Sequence, residues 1–263
     1  MSRRAHYSAS LTQALGIFPE CLSLFEIWEP GMEPEELFAK VQSTNALNME
    51  SERRLRNIVI EGFCSRFLRE PYLEAAPSLK VLFTQSRDNK LLKQITLLYA
   101  LRQHGILFDF LSDEYWSAVR SGGQTMMPDD VQRLIDRGLV KGRLEKDWSA
   151  SVRKRVSSYV LGIAADFDLL GKPASGGRPI LPWALHDDLT LYLVHDLHCL
   201  GSSDDEVAAA EEWSALGLRR EDVTLYLNRL QDRGHLTVQD TGFLCRIDWK
   251  YESREELIHV LLS

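Results

Sequence analysis

Apolar residues recur at helical spacing through most of this 263-residue chain, and that pattern predicts a mainly α fold. The clearest case is residues 50–69, where apolar side chains every three or four positions predict one buried face. The residues of that face are Leu55, Ile58, Val59, Gly62, Phe63 and Phe67. Arginines line the predicted outer side of the same helix, namely Arg53, Arg54, Arg56, Arg66 and Arg69.

The first half of the chain carries several more amphipathic segments. Helices are predicted over residues 19–29, 35–43, 90–104 and 108–120. Gly105 is predicted to end the third of them, and the small and polar residues 121–125 indicate a linker after the fourth. We therefore predict a helical domain over residues 1–125 and a second region over residues 126–263.

Two helices are predicted directly after the linker. The first covers residues 128–137, and the second begins after Ser149, a predicted N-cap. One apolar stripe of the second helix is predicted to be buried, and its members are Val152, Val156, Tyr159, Val160, Ile163 and Phe167. After Gly171 the helical period stops, and residues 172–179 indicate a tight loop between two short extended pieces.

Basic residues are concentrated on this second helix and on the loop that follows it. They are Arg153, Lys154, Arg155, Lys172 and Arg178. A helix followed by a basic hairpin is the arrangement with which winged-helix proteins contact DNA phosphates. A run of three cations on a helix also occurs as ordinary solvated surface, so charge alone leaves both interpretations open.

The charges of the chain are unevenly distributed around a net charge of −7. Residues 131–182 contain ten Lys and Arg against five Asp and Glu, whereas residues 183–263 contain seven against sixteen. We accordingly divide the second region into a basic unit, residues 126–183, and an acidic unit, residues 184–263. Such polarisation fits a protein that contacts nucleic acid on one face and leaves the rest to solvent or a protein partner.

A similar layout of helices and hairpin recurs in the acidic unit. Helices are predicted over residues 204–214 and 220–233, and Gly234 stands at a preferred C-cap position. Strands over residues 235–238 and 243–249 then pair across a turn at residues 239–242. This second winged-helix-like unit carries acids among its exposed cations. We therefore interpret it as a structural or protein-binding unit.

Signals for catalysis or metal binding are weak. No glycine-rich phosphate-binding loop and no nucleophile elbow occur in the sequence. His195 and Cys199 are one helical turn apart and could share a metal. The other interpretation is a buried stripe that leaves His195 and His198 at its edge, and the members of that stripe are Leu189, Tyr192, Leu193, Leu197 and Leu200. The four cysteines have no paired spacing, which argues against a zinc ribbon and against a disulfide framework. We expect them to be reduced and mostly buried.

Nuclease chemistry would require carboxylates such as Asp129 and Asp130 to work with Glu145 and Lys146. The aspartates fit a helix N-terminus equally well, because the helix dipole favours acids there. No apolar run approaches the roughly 20 residues of a membrane helix. The first residues also lack a hydrophobic segment of signal-peptide length, so we expect a cytoplasmic protein.

Several modest patches occur in an order that resembles the BrxA family of BREX bacteriophage-exclusion systems. They are residues 7–12, the helix of residues 50–69, residues 147–154, residues 168–171 and residues 240–249. The resemblance covers most of the chain and contains no catalytic signature. It implies an α-helical DNA-binding accessory protein without known enzymatic activity, whose helical part is similar to the antitermination factor NusB.

Together these observations predict a mainly α protein with an N-terminal helical bundle followed by winged-helix-like units with short β-hairpins. We predict a non-enzymatic binder of double-stranded DNA within a phage-defence system, with other defence proteins as partners. No catalytic residue, metal, cofactor, small-molecule substrate or membrane contact is expected. Phosphate contacts are predicted for Arg153, Lys154, Arg155, Lys172 and Arg178. The alternative is an assembly adaptor that docks onto a larger defence protein without direct DNA contact.

Overall fold

The structure, a computed structural model, describes residues 6–9, 16–240 and 245–263, with the side chain of Asp240 excepted. Helices dominate these residues, and the described strands form two small antiparallel sheets of two strands each. The mainly α fold class is thereby confirmed. The similarity of the helical part to NusB and the winged-helix character of the later units stay predictions.

The helices before the predicted linker pack around one apolar core. They are α1 (Phe18–Ile27), α2 (Pro34–Thr44), α3 (Glu52–Arg56) with a π-helix (Asn57–Cys64) and α4 (Ser65–Phe67), a 3-10 turn (Leu73–Ala75), α5 (Ala76–Gln85), α6 (Asn89–Gln103), and α7 (Gly105–Asp109) with a π-helix (Phe110–Tyr115) and α8 (Trp116–Arg120).

The elements after α8 alternate helices with the two sheets. They are β1 (Thr125–Met126), α9 (Pro128–Val140), α10 (Ala150–Asp166), β2 (Arg178–Pro179), α11 (Asp187–Cys199), α12 (Asp204–Ala208), α13 (Glu212–Ala215), α14 (Arg220–Asp232), β3 (Leu236–Asp240), β4 (Cys245–Trp249) and α15 (Arg254–Leu261).

Helix boundaries follow local capping in several places. Ser149 accepts a hydrogen bond from the Val152 amide and begins α10, as predicted. Gly234, in the left-handed region at φ 72°, follows the end of α14, also as predicted. The prediction that Gly105 ends a helix is wrong, because α6 ends at Gln103 and Gly105 is the buried first residue of α7.

Two other helix predictions need correction. The helix predicted over residues 128–137 continues to Val140. The helix predicted over residues 204–214 is broken into α12 and α13, because Ala209 leaves helical geometry at φ −103° and the chain turns before Glu212.

The helical run from α3 to α4 buries more of its surface than one stripe. Phe63 and Phe67 lie in an aromatic cluster with Phe25, as the sequence pattern predicts. Arg66 was predicted on the outer side but is only 1 % exposed, and its Nε donates to the Gln103 side chain at 3.0 Å. Burial lowers the pKa of Arg66 to about 10.

The first sheet joins the predicted linker to the basic loop. Thr125 pairs with Pro179 and Met126 with Arg178. The linker prediction for residues 121–125 is therefore wrong at Thr125, which is a strand residue. The loop itself turns back through bridges between Leu170 and Ile180 and between Ala174 and Gly177, so the two predicted extended pieces are indeed paired.

The second sheet pairs β3 with β4 from Leu236 opposite Trp249 to Asp240 opposite Cys245. Gln239 and Asp240, predicted as turn residues, extend the strand instead; Thr241, Gly242 and Phe243 lie outside the described residues. The first turn of α12 covers the free edge of β4. Asp205 accepts from the Cys245 amide at 2.6 Å and Asp204 from the Ile247 amide at 2.9 Å.

Side chains from the two predicted domains meet in a buried ion network. The Arg102 guanidinium, on α6, contacts Asp196 at 2.7 Å and Glu212 at 3.3 Å. Arg254 reaches the second Asp196 oxygen at 3.3 Å. The boundary at residue 125 stays a prediction, but α6 and the C-terminal helices share these charges.

The stability of the fold is expected to depend on pH through His104. Burial, with a smaller effect of Arg66 and Arg69, lowers the pKa of His104 from 6.5 to about 3. Between these pH values the unfolded chain binds a proton that the native protein excludes, so stability is complete above pH 6.5 and falls as the pH decreases below it. At about 1.4 kcal/mol per pH unit, His104 should lower the free energy of unfolding by about 2 kcal/mol at pH 5.

Urea unfolding of the protein and of His104→Gln at pH 7.5 and pH 5 measures this contribution. The variant should lose less stability on acidification than the parent protein. Equal losses in the two proteins would show that other groups cause the acid sensitivity.

Candidate nucleic-acid interface

The predicted site residues lie on and beyond the helix pair formed by α9 and α10. Asp136, near the end of α9, contacts Arg153, near the start of α10. At the other end of the pair, β1 precedes α9 and pairs with β2, which follows α10. These two pairings show that the helices run in opposite directions, with residues 141–149 connecting them at one end.

Arg153 forms ion pairs with two carboxylates. Its Nη1 contacts Asp136 at 2.5 Å and its Nη2 contacts Asp147 at 2.6 Å, and the side chain is only 16 % exposed. Hydrogen bonds to Asp136 and Asp147 raise the pKa of Arg153, so the guanidinium remains charged. Arg153 therefore joins α9, the connection and α10, and its charge is largely compensated within the protein.

Lys154 and Arg155 differ from Arg153 in being exposed. Lys141 and Lys146, in the connection between the helices, are exposed as well. Within the part of the chain that the structure describes, none of these four cations forms an ion pair. We call Lys141, Lys146, Lys154 and Arg155 the basic end of the helix pair.

Two of these four residues were missing from the sequence-based site. Lys141 and Lys146 contributed to the charge count of residues 131–182 but were not assigned a contact. The antiparallel turn of α9 onto α10 brings them to the end where Lys154 and Arg155 lie. A predicted helical hairpin with a basic connection was the sequence signal that could have identified them.

Lys172 and Arg178 lie beyond the opposite end of α10. Lys172 is exposed, whereas Arg178 is half-buried and donates from Nη1 to the Gly171 carbonyl at 3.2 Å. With a rise of about 1.5 Å per residue, α10 separates Arg155 from Asp166 by about 16 Å. The structure therefore does not bring the five predicted residues together; it divides them between two ends of one helix.

The two ends could still contact one duplex. The major groove of B-form DNA is about 12 Å wide, and phosphates line both of its borders. Cations separated by about one helix length can therefore meet phosphates on both strands. Exposed cations without internal partners suit this purpose, because they exchange counterions for phosphates without first breaking an ion pair.

The alternative sites considered in the sequence have other roles in the fold. His195 is only 1 % exposed; its Nε2 bonds the Tyr251 carbonyl at 2.8 Å and its Nδ1 lies 3.5 Å from the Cys199 sulfur. The expectation that His195 lies at the edge of the stripe is wrong, because it packs inside. Across the described residues, no three His, Cys, Asp or Glu side chains are placed to hold one metal ion.

The acidic pair at the start of α9 supports helix capping. Asp130 accepts a hydrogen bond from the Met127 amide at 2.6 Å and also contacts Arg133. This arrangement corresponds to the helix N-terminus interpretation of the pair. The cysteines found in the described residues are all free thiols, and Cys21, Cys64 and Cys245 are buried, as expected.

Comparisons with known proteins identify a family and a structure of similar fold. The BrxA family model matches residues 5–196. The crystal structure of an uncharacterized protein from Magnetospirillum magneticum is similar, with a TM-score of 0.57 and 14% sequence identity, over 74% of this chain and 95% of that one. At this identity the similarity concerns the fold alone.

No curated protein matches the chain. In the part of the chain that is described, no helix has both the length and the apolar character needed to span a bilayer.

Proposed function

The chain belongs to the BrxA family of BREX phage-defence components, and on that premise we propose that it acts as a non-enzymatic accessory protein that binds double-stranded DNA. The basic end carries this proposal, since four exposed cations lie together on a helix pair of an otherwise acidic protein. Contacts to phosphates would position the protein on a duplex without reading its bases. Such a role places the protein in the cytoplasm, beside other defence proteins.

The five residues predicted from the sequence take different parts in this proposal. Lys154, Arg155 and Lys172 are the direct phosphate contacts, joined by Lys141 and Lys146. Arg153 is a positioning residue, because its two ion pairs hold α10 against α9 and the connection. Arg178 supports the loop through the Gly171 carbonyl and adds long-range positive potential.

Binding is expected to weaken steeply as salt increases. Each neutralised phosphate releases counterions and contributes about −0.9 to the slope of log K against log salt concentration. Five contacts, from the basic end and Lys172, therefore predict a slope of roughly −4.5, with little dependence on DNA sequence. Fluorescence anisotropy titrations of two unrelated duplexes with the protein, repeated at salt concentrations from about 50 to about 200 mM, measure this slope.

A slope near zero, or no binding at the lowest salt concentration, would contradict the proposal. A strong preference for one duplex would instead indicate base contacts that the exposed lysines do not provide. The single-stranded form of each oligonucleotide serves as a comparison for the duplex.

The assembly-adaptor alternative rests on two features of the surface. Residues 183–263 contain nine more acids than bases, and Val140, next to Lys141 at the basic end, is 88 % exposed. A large exposed apolar side chain beside cations suits an acidic protein partner. Val140→Ser distinguishes the two functions. The substitution should leave the affinity for DNA unchanged, because it removes no charge, but it should weaken the binding of a protein that packs on the Val140 side chain.

A further inference from the structure

A cavity of about 440 Å³ lies between the end of α8 and the beginning of α14. Three arginines from these two elements line it, namely Arg120, Arg219 and Arg220. The hydroxyl-bearing Ser112 and Ser214 also line the cavity, together with Glu211. The cavity therefore combines three cations with one acid and small polar groups.

A buried tryptophan fixes the two elements against each other. Trp116, on α8, donates from its indole nitrogen to the Ala215 carbonyl at 2.8 Å, just before the turn that leads into α14. A Cβ at Gly217, in that turn, would come within 2.7 Å of the Trp116 ring, so only glycine permits this approach. Arg120 follows Trp116 by four residues and thus extends from the same face of the helix. The convergence of the arginines follows from this contact.

The three arginines are available to a ligand. All three are exposed, and none forms a salt bridge with a carboxylate of the described residues. Three positively charged side chains that line one cavity favour an anion within it, because the anion offsets their mutual repulsion. Guanidinium groups bind phosphate oxygens through paired hydrogen bonds, and three of them can surround one phosphate.

We propose that this cavity binds a phosphate group through Arg120, Arg219 and Arg220. The group belongs either to a free phosphorylated compound or to the backbone of a bound duplex. The chemistry of recognition is the same for both sources. Only the assignment of the phosphate to a bound duplex rests on the proposed function.

Inorganic pyrophosphate is the probe for a free phosphorylated compound. Its binding to the full-length protein is measured by calorimetric titration. The triple variant Arg120→Ala, Arg219→Ala, Arg220→Ala should bind pyrophosphate at least about tenfold more weakly. The matched control removes three exposed arginines outside the cavity, Arg53→Ala, Arg54→Ala and Arg69→Ala, and should keep the parent affinity. Thermal unfolding of both variants checks that the fold is retained, and a triple glutamine variant replaces the alanine variant if it does not fold.

Duplex affinity of the same two variants identifies the source. A loss confined to the cavity variant assigns the phosphate to bound DNA, and an unchanged duplex affinity with lost pyrophosphate binding assigns it to a free compound. The pyrophosphate titration remains informative if the protein binds no DNA at all. The proposal is overturned if pyrophosphate does not bind and duplex affinity is equal in both variants, or if the control loses as much pyrophosphate affinity as the cavity variant.

Discussion

Replacement of Lys154 and Arg155 together by alanine should lower the affinity for duplex DNA roughly 10- to 100-fold near 0.1 M salt. Both side chains are exposed and lack internal partners among the described residues, so their loss removes phosphate contacts and leaves no buried charge behind. The slope of log K against log salt concentration should become shallower by about 2, one for each contact. Anisotropy titrations at several salt concentrations measure both quantities.

The matched control for this double variant is Arg53→Ala with Arg54→Ala. These arginines are also exposed on a helix, and they neighbour Glu50 and Glu52. The same charge is removed, yet affinity should change much less, because this helix is remote in sequence from the basic end and carries acids beside its cations. Equal losses in the two variants would mean that diffuse charge holds the DNA and that the basic end is not the site.

Arg153 is best left unchanged in this comparison. Its replacement would release Asp136 and Asp147 from their ion pairs and place two uncompensated carboxylates beside the basic end. Weaker DNA binding would then combine a lost cation with new repulsion of phosphates. The double variant avoids that ambiguity, which a triple variant of residues 153–155 would contain.

Helices were the most predictable feature because their signals are local. Apolar spacing indicated α6 and α14 within one residue, and Ser149 and Gly234 marked helix ends through their own backbone chemistry. Such signals operate within four residues along the chain. They contain little information about which element a side chain will meet.

The burial of Arg66 shows where residue type misleads. Arg66 follows Gly62 by four residues and Phe63 by three, so helical spacing places it beside the buried face, and Phe67 beyond the π-helix is buried as that spacing predicts. Its charge was the reason for the prediction of an outer position. The hydrogen bond from the Arg66 Nε to Gln103, on α6, arises from tertiary packing that the local sequence does not indicate.

The sequence indicates the positive charge of the candidate region but not the arrangement of its side chains. The positive charge of residues 131–182 follows from counting, but the compensation of Arg153 depends on Asp136, seventeen positions earlier in the chain. Likewise Lys141 joins Lys154 only because α9 and α10 are antiparallel. Contacts between elements decide which cations remain available, and these contacts arise from tertiary packing.

Arg102→Ala is expected to destabilise the fold by about 3–5 kcal/mol, a large part of the stability of an ordinary protein. The Arg102 and Asp196 side chains are 4 % and 1 % exposed, and Glu212 is 8 % exposed, so loss of the guanidinium leaves buried carboxylates with less compensation. Arg102 also lies 5.1 Å from the centre of the Tyr72 ring, a contact that alanine cannot make. Urea unfolding measures the change in free energy.

The control for this prediction is Arg56→Ala, which removes an ion pair with Glu35 in which both side chains are exposed. Solvent screens that pair, so the unfolding midpoint should hardly change. Arg102 connects α6 with α11 and α13, and Asp196 in turn binds Arg254 on α15. Loss of Arg102 should therefore lower the stability of the helical part and the C-terminal part together. If Arg102→Ala destabilised the protein no more than Arg56→Ala, the network would be dispensable and the two predicted domains would not be coupled through it.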